Sequence, residues 1–565
     1  MRVSRRRFLE RGSGLALATA FAARSPFGIG QMVPACPEPS ALRLPLGIDI
    51  HTHIFNGRDL PVARFLRQVV AQEGPHYAAV LLPFAGTLER MVDQESPTAE
   101  QEIKRLDRLL EIQKAQPERT LEDLLAEDAA TADRVYYRLL AEELKNDPEF
   151  RNLYLKELQK RFDGLKAKGD PLGRLKALNE NDVRILGTTQ PLSGEQIQRL
   201  LQIEVEVGGL QVLNWGKIFT RYRSLNAREL LLTYRAFNAL VLTGRSCTLG
   251  AIDLFAPAIL DLDYWLGWGS RKPTPLEMQI EVMERIIRLS GGRMHSFSAF
   301  DPRRHFSEGE RSLRLVKDAL EKGFVGVKIY PPMGFAPFGN TGRKRPEKWS
   351  DGDFPKQMAQ LDKAMTQFFE FCEGMQVPIL AHANFSYGSR REYRELAGPL
   401  YWAKALDKYR GLNVCFGHFG GEEGLTGNNR SRNWQHGFVD LMKKHDHVYA
   451  DTSYFAGILD PDRQPAMTAG LKTLFDRGGE RVASRMLYGS DWLMIALESG
   501  WDRYYGEFRA AIRRIEGTNR KLSEQFFGGN ALNFLGFPSK GRNYARTKDY
   551  YAKVGKNMPQ WLRAI

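Results

Sequence analysis

The sequence predicts an α/β fold, a (β/α)8 TIM barrel with a large all-helical insertion after strand 1, and three observations predict it. Short apolar runs of strand length recur, each followed by Gly, Pro or Asn and then by a helical segment; there are eight of them; and polar residues of related chemistry stand at the ends of four. Short strands rich in Val, Ile, Leu and Phe alternating with helices imply a parallel sheet covered on its outer face, and eight is the number that closes a barrel. A doubly wound open sheet shares the pattern of runs, so the strand-end residues carry the choice.

The elements follow in chain order. Residues 1–22, with Ser4-Arg5-Arg6-Arg7-Phe8-Leu9-Glu10, a short apolar stretch from Gly12 to Ala23 and Ala20-Phe21-Ala22 as a cleavage candidate, resemble a twin-arginine signal peptide. That resemblance implies handling by the twin-arginine translocase and a periplasmic or secreted protein. Cys36, beyond the apolar stretch and next to a proline, is a weak lipid-attachment candidate.

Residues 41–55 hold barrel strand 1, Leu44 to His51. Residues 56–244 are rich in Leu, Glu, Lys and Arg with helical periodicity, as in Ile103-Leu106-Leu109-Leu110 and Val135-Leu139-Leu140-Leu144, the latter ending at Asn146-Asp147-Pro148. Thr120-Leu-Glu-Asp123 has capping-box spacing. Because loops after barrel strands emerge on the catalytic face, this insertion is expected to form a cap over or beside the site. Its Trp215, Phe219 and Tyr222 share a helical face that reads as core or as substrate contact, and Lys217, Arg221 and Arg223 are either solvated or placed to meet an acidic substrate.

The remainder of the barrel, residues 245–536, supplies strands at Leu249 to Phe255, Met294 to Phe300, Phe324 to Tyr330, Val377 to Ala383, Leu412 to His418, His447 to Ser453 and Arg485 to Ser490. Residues 537–565 read as a basic C-terminal tail.

Composition sets bounds on function. Of 565 residues, 43% are hydrophobic and 26% charged, which argues against disorder, a collagen or a membrane bundle, and no stretch is long and apolar enough for a transmembrane segment in the mature chain. Four cysteines (Cys36, Cys247, Cys372, Cys415) are too scattered for a disulfide scaffold or a Cys-x-x-Cys knuckle. The net charge of +14, without zinc-finger spacing or a basic helix leading into heptads, gives no reason to expect nucleic acid. The expected partner is a small-molecule substrate, and a homo-oligomer is left open.

The strand ends carry the chemistry. Strand one ends Asp49-Ile-His51-Thr-His53, where alternation sends His51 and His53 the same way with Asp49 behind them. Strand five ends at His382-Ala-Asn384, strand six at His418-Phe-Gly-Gly421, and strand eight at Ser490-Asp491. A single strand-end histidine is most often structural, but four such coincidences are hard to obtain by chance. His76, His295, His305, His436, His445 and His447 show no matching pattern, although His295 opens strand three and is a candidate to line the barrel.

Asp49-Ile-His51-Thr-His53, Gly326-Val-Lys328-Ile-Tyr330-Pro331-Pro332, His382, His418-Phe-Gly-Gly421, Gly489-Ser-Asp491 and Phe527-Gly-Gly-Asn530-Ala531-Leu532 fall in the order of the amidohydrolase superfamily, and the sequence resembles its amidohydrolase-2 branch, which includes aminocarboxymuconate semialdehyde decarboxylase. The resemblance implies His51, His53, His382 and Asp491 as metal ligands, with His418 beside the reacting water. His418 and Asp491 are then the catalytic proton-transfer groups, and Lys328 and Asn384 are assigned to substrate binding. Three imidazoles and a carboxylate suit one divalent metal, most naturally zinc. Two-metal relatives carry a bridging carbamate on a strand-four lysine, but the context of Lys328 resembles the one-metal branch. The expected activity is hydrolysis of an amide, ester or lactone through activated water. The alternatives are non-oxidative decarboxylation of an aromatic or unsaturated acid and a non-catalytic binding protein on this barrel.

Overall fold

The computed structural model describes residues 46–73, 82–167, 180–186, 188, 190–206, 211–242, 252–269, 271–346, 352–385, 387–426, 433–498, 500–517, 521–538 and 541–565. Residues 1–22, where a signal segment is expected, and Cys36 lie outside the described residues.

Eight strands follow in order: β1 (Ile48–Thr52), β2 (Leu254–Pro257), β3 (Phe297–Ala299), β4 (Gly326–Ile329), β5 (Ile379–His382), β6 (Val414–Gly417), β7 (Val448–Asp451) and β8 (Met486–Leu487). β3 to β8 pair in chain order, β1 pairs with β2, and all these pairings are parallel. Short contacts close the ring: Phe255 with Met294 and Ala258 with Phe297 join β2 to β3, and Thr52 with Trp492 joins the end of β8 to β1. The amides of Ile50 and Asp491 complete that seam, donating to Tyr488 O at 3.2 Å and His51 O at 2.8 Å. The fold is a (β/α)8 barrel, not an open sheet.

Strand residues are buried from end to end, as a sheet filled on one side and covered by helices on the other requires. Residues 249–251 of the second apolar run lie outside the described residues, and β2 begins at Leu254. Its start is set by the register with β1, which puts Ile48 opposite Leu254 and then shifts between Asp49 and Thr52. Apolarity marks where a strand can lie, and the neighbour's hydrogen bonds decide where it does.

Between β1 and β2 the described residues are helical, including Ala85–Glu95, Ala99–Ala115, Ala126–Asn146, Pro148–Ala167 and Arg223–Leu242. Thr120 and Asp123 form the expected capping box, and the helix ahead of Pro148 ends at Asn146. Leu106, Leu109 and Leu110 are buried, each side chain worth roughly 1.5–3 kcal/mol of transfer free energy.

These helices are bound to the barrel side by polar contacts as well. Arg293 grips Glu122 through two bonds of 2.8 and 2.6 Å, Arg285 meets Asp107 at 2.7 Å, and Asn226 Nδ2 donates to Phe55 O at 2.8 Å. Lys217, Arg221 and Arg223 are buried, not solvated: Arg221 pairs with Asp133 and Glu229, and the Lys217 ammonium lies 4.8 Å from the centre of the Tyr137 ring. Phe219 packs on Phe55, so it is core.

Residues 537–565 are not a loose tail. Helices Arg542–Lys553 and Gln560–Ala564 sit across the amino ends of β3 and β4. Tyr551 OH lies 3.0 Å from His295 Nε2, Trp561 Nε1 donates to Gly292 O at 2.9 Å, and Asn543 Nδ2 donates to Val325 O at 2.6 Å. His295 therefore belongs to the barrel floor, its Nδ1 facing Gly323 O at 2.7 Å. The segment's basic composition conceals an apolar seam of Tyr550, Tyr551, Trp561 and Leu562.

Candidate metal centre

Side chains from four strand ends gather at the carboxyl end of the barrel, and among the described residues those of His51, His53 and Asp491 come close enough together to share an ion. β1 delivers His51 and His53, whose Nε2 atoms lie 4.0 and 3.4 Å from Asp491 Oδ1. One ligand atom from each of His51, His53 and Asp491 falls within 4.8 Å of the others. His382, from β5, adjoins this group, its ring centre 4.6 Å from that of His418, which in turn is 4.8 Å from that of His51. Asp49 does not join them. Its Oδ2 accepts from Tyr234 OH at 2.8 Å and its Oδ1 from the Ser490 amide at 3.0 Å, behind the histidines.

Each ring is oriented by its second nitrogen. His53 Nδ1 donates to Ala258 O at 3.0 Å, which leaves the Nε2 lone pair facing Asp491. His51 Nδ1 meets Asp451 Oδ2 at 3.0 Å, the carboxylate–imidazole arrangement that fixes tautomer and ring direction in metal sites. Two glycines make room for this ring: a Cβ on Gly417 would stand 2.8 Å from His51 Cε1, and one on Gly489 3.0 Å from His51 Cβ.

Asp451 is the functional residue that strand-end reading missed. At the end of β7 it also accepts from the amides of His418 (2.9 Å) and Ser453 (3.0 Å) and from Ser453 Oγ (2.6 Å). The signal was available in Asp451-Thr-Ser453, a polar group at a strand end like the other four.

His418 and Asp491 do not lie on regular strand. β6 stops at Gly417, β8 at Leu487, and His418 and Asp491 take the left-handed region at φ 66° and 57°. Tyr387, Tyr454 and Leu493, at φ 50°, 55° and 25°, share that strain and line the same cavity. Such conformations cost on the order of 1–3 kcal/mol each and persist where surrounding structure enforces them. Five such residues gather around one cavity.

Burial and the Lys328 ammonium hold all four imidazoles in the neutral form: His51, His382 and His418 titrate well below the usual range and His53 at about 3. Burial pushes the Asp491 carboxyl up to about 7 against the pull of Lys328. Both ring nitrogens of His382 are buried without a hydrogen-bond partner, while Tyr330 stacks on its face at 4.2 Å. An orphaned buried imidazole is costly unless something accepts its lone pair. Neutral nitrogen donors, one orphaned, around a carboxylate oxygen fit a borderline divalent ion.

Lys328 lies behind this group, not in the cavity wall. Its Nζ donates to His51 Nε2 at 2.7 Å, and burial lowers it to about 8. That lone pair serves either Lys328 or a metal, so metal uptake requires the ammonium to turn aside. Asn384 does reach the cavity, as do His53, His382, His418 and Asp491.

The cavity has a volume of about 100 Å³, with walls mainly of Ile54, Phe55, Leu60, Phe65, Ile259, Leu262, Met333 and Met494. Leu60, Phe65, Asp59 and Arg223 come from the helical segment after β1, so that segment builds part of the wall.

Residues 304–537 match the family model described as Amidohydrolase, Amidohydro_2. The match takes in β4 to β8, with His382, His418 and Asp491, but not the β1 histidines. No curated protein matches the chain. Similar solved structures include an uncharacterised TIM-barrel protein from Bordetella bronchiseptica, 14% identical over 50% of this chain and 77% of its own, with a TM-score of 0.33. A zinc-bound amidohydrolase from Burkholderia multivorans is 13% identical over 50% and 99%, with a TM-score of 0.29. The 4-oxalomesaconate hydratase of Rhodopseudomonas palustris is 14% identical over 54% and 78%, also at 0.29. Over residues 304–537, less than half of the chain, the sequence is similar to the amidohydrolase family model.

Proposed function

We propose that the chain is a metal-dependent hydrolase acting on a small organic substrate in the cavity above His418. The observation that carries this reading is the convergence of His51, His53 and Asp491 beside His382, an imidazole with both nitrogens buried and unpartnered. These four residues would hold one divalent ion, with zinc favoured by the donor set. Such an ion, when bound, acidifies water and polarises a substrate oxygen.

The chain's own groups supply the rest. His418 has Nδ1 3.1 Å from Ser453 O, which keeps the proton on that nitrogen and leaves Nε2 as the base. Kept neutral by burial, it takes a proton from the attacking water and returns it to the leaving group. Asp491, whose carboxyl sits near neutrality, orients that water through its second oxygen. Asn384 offers its amide to the substrate from the cavity wall, and the apolar walls keep bulk water out.

The test is a screen of small amides, esters and lactones with product analysis. Acid together with amine or alcohol is expected. Carbon dioxide released from an aromatic or unsaturated acid, with no hydrolysis of any candidate, would replace this reading by decarboxylation.

The proposal extends to the address. Folded export after metal loading would protect the site from Cu²⁺, which outcompetes Zn²⁺ at nitrogen and oxygen donors. Arg5→Lys/Arg6→Lys is expected to leave the protein in the cytoplasm; unchanged export of that variant contradicts a twin-arginine signal.

A further inference from the structure

Within the cavity the helical segment supplies an ion pair that the proposed reaction does not use. Arg223, at the start of helix Arg223–Leu242, and Asp59 both line the cavity and pair through Nη2 and Oδ2. The same Nη2 donates to Gln279 Oε1 at 3.0 Å, and Asp59 Oδ2 also accepts from the Asn56 amide at 2.8 Å. Among the described residues, Nε and Nη1 of Arg223 and Oδ1 of Asp59 make no hydrogen bond to protein, and both side chains line the cavity.

The charge of this cluster decides what it can recognise. Arg223 and Asp59 sum to zero, Gln279 is neutral, and Glu102 beside them, which accepts from the Ser224 amide at 2.7 Å, adds no positive charge. No positive charge is left over for an anion. What the pair brings to the cavity wall is a guanidinium N–H beside a carboxylate oxygen, set among apolar side chains such as Phe55, Leu60 and Phe65. A site built to hydrogen-bond a ligand group rejects analogues lacking it by up to roughly 10⁴–10⁵, because its own polar atoms are then left unpaired.

We propose that Arg223 and Asp59 together read a neutral donor–acceptor group, such as a primary carboxamide, on the non-reacting end of the substrate, and so disfavour substrates carrying a carboxylate there. This rests on the cavity being the substrate site. It deepens that assignment by choosing neutral substrates over the acidic ones that the basic residues of the segment suggested.

The test is binding of benzamide and benzoate to the zinc-supplemented, full-length protein, followed by calorimetry or ligand-observed NMR. Any direct contact of benzoate with the metal is common to the chain and its variants and cancels in the comparison. Arg223→Met is expected to weaken benzamide at least tenfold at unchanged metal content, with Arg223→Lys intermediate. Asp59→Asn keeps an oxygen for the Asn56 amide and leaves the pair at +1, so it is expected to improve benzoate relative to benzamide at least tenfold. No benzamide binding to the unaltered chain, equal binding by Arg223→Met, or an unchanged ratio in Asp59→Asn would each overturn the proposal. Turnover plays no part in this readout, so an error in the assigned reaction and an error in the assigned specificity give different results.

Discussion

His51→Ala and Asp491→Ala are each expected to purify folded but with less than about a tenth of a divalent ion per chain, where the unaltered protein carries about one through four protein ligands. Their ligand atoms are held 4.0 Å apart by the seam between β1 and β8, so loss of either opens the site instead of letting a neighbour substitute. Elemental analysis beside circular dichroism reads both quantities; full metal in either folded variant would mean that the site is misassigned. The pH dependence has a definite sign. The histidines are already neutral well below pH 7, whereas Asp491 titrates at about 7. Protons therefore compete through the carboxylate, and uptake weakens as pH falls below about 7.

His418→Ala is expected to keep its metal and lose at least about a hundredfold in kcat, about 2.7 kcal/mol of barrier, on whichever substrate the screen yields. The residue is held to the backbone at Ser453 and through its amide to Asp451, so its position does not depend on a metal bond. His382→Ala, by contrast, removes an imidazole whose nitrogens have no hydrogen-bond partner and should lose metal first. Metal content and turnover measured on the same preparations separate the two roles. A fully active His418→Ala would remove this residue from the mechanism while leaving the metal site standing.

Most of the barrel was legible because a closed parallel sheet demands apolar residues on both faces, and that demand ends abruptly at the strand tips, where His382, His418 and Asp491 stand out. Alternation correctly put His51 and His53 together. It also put Asp49 behind them, where Tyr234, 185 positions along the chain, holds the carboxylate. Asp451 was missed for a related reason: its work is to hold His51 from 400 positions away, a contact that exists only once the ring has closed. Lys328 was read as orienting a substrate anion or filling the barrel, since sequence cannot say that its ammonium turns toward His51. Arg223 was weighed only as a bearer of charge, and pairing with Asp59 cancels that charge. The C-terminal segment misled through composition, its lysines and arginines masking the aromatic residues that seal the barrel floor.

The most direct test of the metal-centre assignment is a crystal structure of the zinc-loaded protein with anomalous scattering measured at the zinc edge. The account predicts one peak bonded to His51, His53, His382 and Asp491, with the Lys328 ammonium displaced from His51 Nε2. Two peaks bridged by a modified Lys328, or zinc held elsewhere with these four side chains unengaged, would contradict it.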